Sequence, residues 1–248
     1  MQQTGNTILI TGGGTGIGKA LAHRLHDAGN TVIIAGRRVA ELERAAEGRE
    51  HLHIIQADLS APQGVASFAE AAQTRFPALN VLINNAGIMR FETLTGPRDL
   101  RDAEETIATN LLAPLRLIDA FTAHLCGRPD SAIINVSSGL AFVPLPAAPT
   151  YCATKAALHS LTVSLRERLR GKVEVIEIIP PGVQTGLTPG QEQSDGYQPL
   201  DAFADEVMSL LSQQPTPPEI LVEAVKWIRF AEAQGRYDEA LALLNQHL

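Results

Sequence analysis

Cysteine is almost missing from this chain: 248 residues hold only Cys126 and Cys152, and neither sits in a spaced set of metal ligands. A disulfide scaffold and a zinc ribbon are thereby excluded. Positive charge is also scarce, with 20 Lys+Arg against 27 Asp+Glu and a net charge of −7. Such a surplus of carboxylates disfavours a protein whose whole surface binds nucleic acid, and leaves only local basic sites. Long apolar runs are lacking as well, since no window approaches the roughly 20 apolar residues that a membrane span requires. Residues Met1 to Gly5 carry no cationic region, and the apolar run that follows, Ile8 to Ile10, is short. No signal peptide is therefore expected, and a reduced, cytoplasmic protein is the simplest reading.

What is present is apolar bulk, 45% hydrophobic residues against 19% charged. That composition buries enough surface to offset chain entropy, so the chain is read as globular. A prior of about 150 residues per domain allows one large domain or two small ones. Short β-branched runs recur, each followed by a longer helical pattern, which implies parallel strands joined by right-handed crossovers. The strand runs are Thr7 to Ile10, Thr31 to Ala35, Leu52 to Gln56, Val81 to Asn84, Ala132 to Val136 and Val173 to Ile179. Helical patterns fill Gly16 to Ala28, Val39 to Gly48, Pro62 to Phe76, Leu100 to Cys126 and Tyr151 to Leu169. The strands are apolar on both faces, which suits a sheet covered by helices on either side. The expectation is a doubly wound α/β fold with a parallel sheet of about six strands.

No linker rich in Gly, Pro or Ser divides the chain, so one domain over residues 1–248 is the better count. Residues Pro180 to Leu200 change character, with many Gly and Pro and few aliphatics. They read as a loop long enough to form a lid, about 183–202. Beyond it Ala202 to Ser212, Pro218 to Gln234 and Tyr237 to His247 read as helix, a C-terminal extension of about 203–248 with no further strand.

The first strand runs into Thr11-Gly12-Gly13-Gly14-Thr15-Gly16-Ile17-Gly18 and then a helix. Glycines there permit a tight turn and close approach of backbone to a pyrophosphate, while the helix N-terminus supplies N–H donors. A bare glycine pattern is weak, but strand, loop and helix in this order form the context that a dinucleotide site needs. The second strand ends Ala35-Gly36-Arg37-Arg38, about twenty residues on. An acid there would accept from ribose hydroxyls and favour NAD(H); arginines pair with a 2′-phosphate. NADP(H) is therefore preferred, with NAD(H) possible.

Tyr151 and Lys155 stand at i and i+4 on one helix face. A phenol with a pKa near 10 is a poor acid or base at neutral pH, and a nearby cation lowers that value. Alone, such a pair is commonest as a solvated helix face. Company changes this reading: Ser138 ends the fifth strand, Asn84-Asn85-Ala86-Gly87 ends the fourth, and Asp58 and Leu59 follow the third. Carboxyl ends of parallel strands are where doubly wound folds place ligands. Asn110 lies inside a helical pattern, an unfavourable place unless its amide has a partner.

These residues together resemble the short-chain dehydrogenase/reductase family of compact, single-domain type, over roughly residues 5 to 185. The resemblance implies a Rossmann-type fold and an enzyme that interconverts a ketone or aldehyde and an alcohol by hydride transfer with NAD(P)(H). It implies Tyr151 as general acid or base, Ser138 as the group polarising the substrate oxygen, and Lys155 as ligand of the nicotinamide ribose that also lowers the Tyr151 pKa. Asn110 would hold a water relaying protons from Lys155. Gly12, Gly14, Thr15, Gly16, Ile17, Gly18, Arg37, Arg38, Asp58, Leu59, Asn85, Ala86 and Gly87 would contact the cofactor, and no metal is implied.

Pro180-Pro181-Gly182-Val183-Gln184-Thr185 departs from the family's usual Pro-Gly segment at Pro181, a departure that resembles the DltE-like branch. Val183 and Thr185 remain expected contacts of the nicotinamide carboxamide. The family's usual seventh strand is not legible, so a homodimer through Leu111 to Phe121 and Leu158 to Leu165 is expected. The pocket expected from Met89, Phe91, Leu140, Phe142, Val143, Pro144, Leu145 and the lid is apolar. With no Arg or Lys in residues 139–150 or 183–200, a small neutral carbonyl or alcohol is the expected substrate, with neither nucleic acid nor membrane as partner. The alternative function is a catalytically idle dinucleotide-binding regulator; it predicts loss of the Ser, Tyr and Lys group, and all three are present.

Overall fold

A computed structural model of the chain describes residues 1–246. Seven parallel strands form one sheet in the order β3-β2-β1-β4-β5-β6-β7. They are β1 (Thr7–Thr11), β2 (Thr31–Gly36), β3 (Leu52–Gln56), β4 (Val81–Asn84), β5 (Ala132–Val136), β6 (Glu174–Ile178) and β7 (Glu219–Ile220). The helices are α1 (Gly16–Asp27), α2 (Val39–Ala46), α3 (Pro62–Arg75), α4 (Arg101–Ile107), α5 (Ala113–Cys126), α6 (Pro149–Arg168), α7 (Leu200–Leu211), α8 (Lys226–Arg229) and α9 (Tyr237–Leu244).

Alternate residues of each strand enter opposite layers of core. Ile8, Ile10, Ile34 and Ile83 pack with Leu21, Leu25, Phe203 and Val207 on one face. Leu9, Ile33, Leu82 and Ile133 pack with Phe68, Leu117, Phe121 and Leu125 on the other. Both faces are thus covered, which is why these strands read as continuous apolar runs.

Several expectations need correction. The sheet has a seventh strand: Glu219 and Ile220 pair with Glu177 and Ile178. Two residues after Pro217-Pro218, one of them charged, carry no strand periodicity, and the stretch expected as helix from Pro218 instead holds β7, a short 3₁₀ turn at Glu223–Val225 and α8. The expected helix Leu100 to Cys126 is interrupted by a π-helical turn at Ala108–Leu112. The last helix ends at Leu244, and His247, the expected end, lies outside the described residues. The loop expected to form a lid ends a little earlier than expected, since α7 starts at Leu200; Val183 bridges to Gln198, and Gln191 Nε2 donates to the Val183 carbonyl at 2.8 Å.

Candidate active site

Strand order reverses between β1 and β4, so the connections leave the sheet in opposite directions there and open a crevice at the carboxyl ends. The glycine loop lies in that crevice. Gly12 has φ +67°, a conformation that suits glycine. At Gly18 a Cβ would stand 2.3 Å from the Gly12 carbonyl oxygen, so only a hydrogen lets α1 pack this close to the loop. Thr15 precedes α1 without a side-chain cap, and no acid occupies the first turn. The leading N–H groups of α1 are therefore free to meet an anion.

Asn85 holds the loop from across the switch: its Nδ2 donates to the Thr11 and Gly12 carbonyls at 2.9 and 3.2 Å. Thr11 Oγ1 returns the contact, accepting from the Asn85 and Ala86 N–H at 3.0 and 3.1 Å. The Asn85 side chain thus supports the cradle rather than facing into it, and Thr11 is a supporting residue that motif reading passed over. Ile17 packs partly buried against the core. Gly16 faces Thr185, whose Cβ would lie 3.6 Å from a Cβ at Gly16, so the segment after β6 meets the glycine loop. Val183 and Thr185 are buried there.

At the other end of the cradle Arg37 and Arg38 are exposed. Arg38 Nη2 donates to Thr15 Oγ1 at 3.4 Å, and Arg37 Nη1 reaches Glu105 at 3.4 Å. Asp58 accepts from the Ser60 N–H at 3.0 Å and hydroxyl at 2.7 Å, bonds that hold its carboxyl below the usual range. Leu59 is buried and packs in the core.

The polar centre lies deeper. The π turn explains how Asn110 sits within a helix: its Oδ1 accepts from the Ile88 N–H at 2.9 Å and its Nδ2 donates to the Ile88 carbonyl at 2.8 Å. Such turns recur at functional sites. A Cβ on Gly87 would stand 3.4 Å from Asn110 Oδ1 and 3.7 Å from Lys155 Nζ, so these three residues meet. Lys155 is buried, and its Nζ donates to the Val136 carbonyl at 2.8 Å, 5.6 Å from the Tyr151 ring centre. Glu92 fixes the start of α6, accepting from Thr150 N–H and Oγ1 at 2.9 and 2.8 Å, one residue before Tyr151. Ser138 Oγ accepts from the Leu140 N–H at 3.1 Å, and its hydroxyl acts on the Tyr151 phenol.

The electrostatics differ from the expectation in one respect. Burial pushes the Tyr151 phenol up to about 12, and Ser138 only partly opposes this. Burial pulls Lys155 down to about 8, with Glu177 opposing. Desolvation dominates, so Tyr151 is a neutral phenol at neutral pH rather than one poised near it.

Of the expected pocket, Met89, Leu140 and Leu145 gather with Tyr151, Cys152 and Leu187. Phe142 and Val143 do not; they pack with Ile228, Ala231, Tyr237 and Ala240 of the tail. Leu117, Ile118, Phe121 and Leu158, expected in a dimer interface, are buried in the chain's own core. Sequence reading also missed a buried chain in which Asn84 Nδ2 donates to Asn135 Oδ1 and Asn135 Nδ2 to Thr162 Oγ1, at 2.8 and 2.9 Å. Two asparagines in otherwise apolar strands were its available signal.

This crevice joins a glycine loop to buried Ser, Tyr and Lys on a doubly wound fold, and the family it matches is one of oxidoreductases. Residues 6–196 match the family described as short chain dehydrogenase, and the chain belongs to that family. It is 41% identical to the uncharacterized oxidoreductase DltE of Bacillus subtilis (strain 168), with 99% of this chain and 98% of that one covered, which puts it in the DltE-like branch. Among solved structures it is similar to a metagenomic short-chain oxidoreductase in complex with NADP, with 30% identity, a TM-score of 0.74, and 89% and 97% of the two chains covered. It is also similar to a 3-ketoacyl-(acyl-carrier-protein) reductase from Brucella melitensis complexed with NADH, with 27% identity, a TM-score of 0.78, and 87% and 94% covered.

Proposed function

We propose that this protein interconverts a ketone or aldehyde and an alcohol, using NADP(H) in preference to NAD(H). The observation that carries the reading is the buried group of Ser138, Tyr151 and Lys155 beside Asn110, at the end of an anion-accepting glycine loop. The uncapped α1 N-terminus, the Gly12 and Gly18 geometry and Lys155 fit a nicotinamide dinucleotide, and its relatives of known structure bind NADP and NADH. When bound, that cofactor supplies or accepts the hydride.

The chain's own residues do the rest. Ser138 and Tyr151 donate hydrogen bonds to the substrate oxygen, and Tyr151, protonated at neutral pH, gives up its proton as that oxygen becomes an alcohol. Lys155 binds the ribose hydroxyls, and its charge lowers the cost of the phenolate that remains. Asn110, beside Lys155 across Gly87, anchors the water path that restores the proton. Arg37 and Arg38, with Gly36 where an acid would favour NAD(H), meet the 2′-phosphate. Met89, Leu140, Leu145 and Leu187 take a neutral, apolar substrate.

We also infer a homodimer, since Ile107, Leu115 and Val163 stay 39%, 37% and 41% exposed on α4, α5 and α6. A solution mass of one chain would count against it. The function is tested by titrating NADPH and NADH and then following cofactor absorbance with a panel of ketones and aldehydes. Tighter NADPH binding and oxidation of NADPH by a ketone are expected; no binding of either dinucleotide would sink the reading.

A further inference from the structure

The turn that follows Ser138 has no part in the mechanism above, and the C-terminal tail rests directly on it. Gly139–Ala141 form a single 3₁₀ turn with Ser138 before it and Phe142 after it. Its bonds are local: the Leu140 N–H donates to Ser138 Oγ at 3.1 Å, and the Phe142 N–H to the Gly139 carbonyl at 3.0 Å. A shift of Phe142 is therefore carried back to the Ser138 hydroxyl. A Cβ on Gly139 would stand 3.0 Å from Val225 and 3.5 Å from Ile228, so a glycine here lets the tail approach this closely.

Phe142 closes a ring of contacts. The Arg229 guanidinium of α8 lies over the Phe142 ring at 4.4 Å, and His159 of α6 meets the same ring edge-on at 4.7 Å. Arg229 donates to both oxygens of Glu219 on β7, at 2.8 and 2.9 Å. Glu219 pairs in register with Glu177 on β6, and Glu177 accepts from His159 Nδ1 at 2.9 Å. The ring thus runs from Phe142 through Arg229, Glu219, Glu177 and His159 back to Phe142. Glu177 is fully buried, and its Oε1 has no hydrogen-bond partner among the described residues. Two neighbouring carboxylates in such a place require a cation. Arg229 is the cation bonded into the group. The Glu219 bonds hold its guanidinium above the usual range, and Glu177 adds to them. β7 has two residues and α8 four, too few to fix the tail by backbone bonding alone.

We propose that Arg229 is a positioning residue for Ser138: it clamps Phe142 to the Glu219–Glu177 edge of the sheet and so fixes the turn that aims the Ser138 hydroxyl at the substrate oxygen. The tail then acts on the chemistry without touching it. The proposal rests on the role of Ser138 given above.

Hydrogen exchange in Arg229→Ala, compared with wild type, tests the clamp with neither cofactor nor substrate present. The Leu140 and Phe142 amides should exchange about tenfold faster or more, while those of Ile33 and Ile34 in β2 move far less. Unmoved turn amides, or an equal acceleration in β2, overturn the proposal. Should Arg229→Ala not fold, Arg229→Met combined with Glu219→Gln carries the same test, since removing the pair together leaves no lone charge at Glu219. Turnover tests the consequence. Arg229→Ala should lower kcat by about 10- to 100-fold and leave NADPH binding within a few-fold of wild type. In a Ser138→Ala background the same substitution should cost less than about twofold more, because the two residues act as a unit. A further loss of full size there would place the effect of Arg229 elsewhere and overturn the proposal. A wild type that reduces no carbonyl would sink the proposed function alone, and unmoved turn amides in an active enzyme would sink this proposal alone.

Discussion

The two halves of the sheet, divided where β1 meets β4, are built from different materials. On the β3-β2-β1 side the buried strand positions are almost wholly aliphatic, from Ile8, Leu9 and Ile10 to Val32, Ile33 and Ile34. On the β4-β5-β6 side the same apolar runs carry Asn84, Asn135 and Glu177, and the helix above them brings Lys155 and Thr162. Buried polar groups destabilise a core unless they are satisfied, so their clustering on one side marks where structure is spent on chemistry. On the proposed function, the aliphatic half presents backbone to a dinucleotide and the polar half holds the side chains that move protons.

That division is easiest to break by comparing equal damage on both sides. Ile33→Ala should cost about 2–5 kcal/mol of unfolding free energy in a denaturant titration, with the pH profile of turnover unmoved. Asn135→Ala should cost less, about 1–3 kcal/mol, because it leaves the buried Asn84 Nδ2 without its partner, yet it should disturb kcat. An Asn135→Ala variant with wild-type kcat would show the polar chain to be packing only. A smaller effect separates the protonation states. Lys155 is charged below about 8 and loses its charge as pH rises through that value. Reduction should therefore decline above pH 8 by up to tenfold per pH unit, while Tyr151, at about 12, stays protonated throughout. A rate that holds flat to pH 10 would contradict this order. Smallest is the change at the rim of the aliphatic half: Arg38→Ala, losing an exposed cation, should weaken NADPH by roughly tenfold or less and leave NADH as it was, as measured by fluorescence titration.

The same contrast explains what was legible in the sequence. Six strands are found at or within a residue of their expected ends, because aliphatic runs between turns are strong local signals. The glycine loop and the Ser138, Tyr151 and Lys155 set were visible because each depends on a residue type at a fixed spacing. What escaped depends on tertiary partners. Glu219 and Ile220 become a strand only because Glu177 and Ile178 lie beside them. Asn110 breaks its helix because Ile88 offers both backbone groups. Glu177 reads as an ordinary acid near a strand end until His159 is seen across from it. Phe142 looks like a pocket residue until the tail folds over it.

The most direct test of the whole account is Tyr151→Phe, which removes one hydroxyl from the polar half and nothing from the cradle. The measurement is the rate of NADPH oxidation with a reducible ketone, taken together with the NADPH dissociation constant of the same preparation. The account predicts a loss of about 10²–10⁴-fold in turnover with NADPH binding within a few-fold of wild type. Turnover close to wild type in that variant would contradict it.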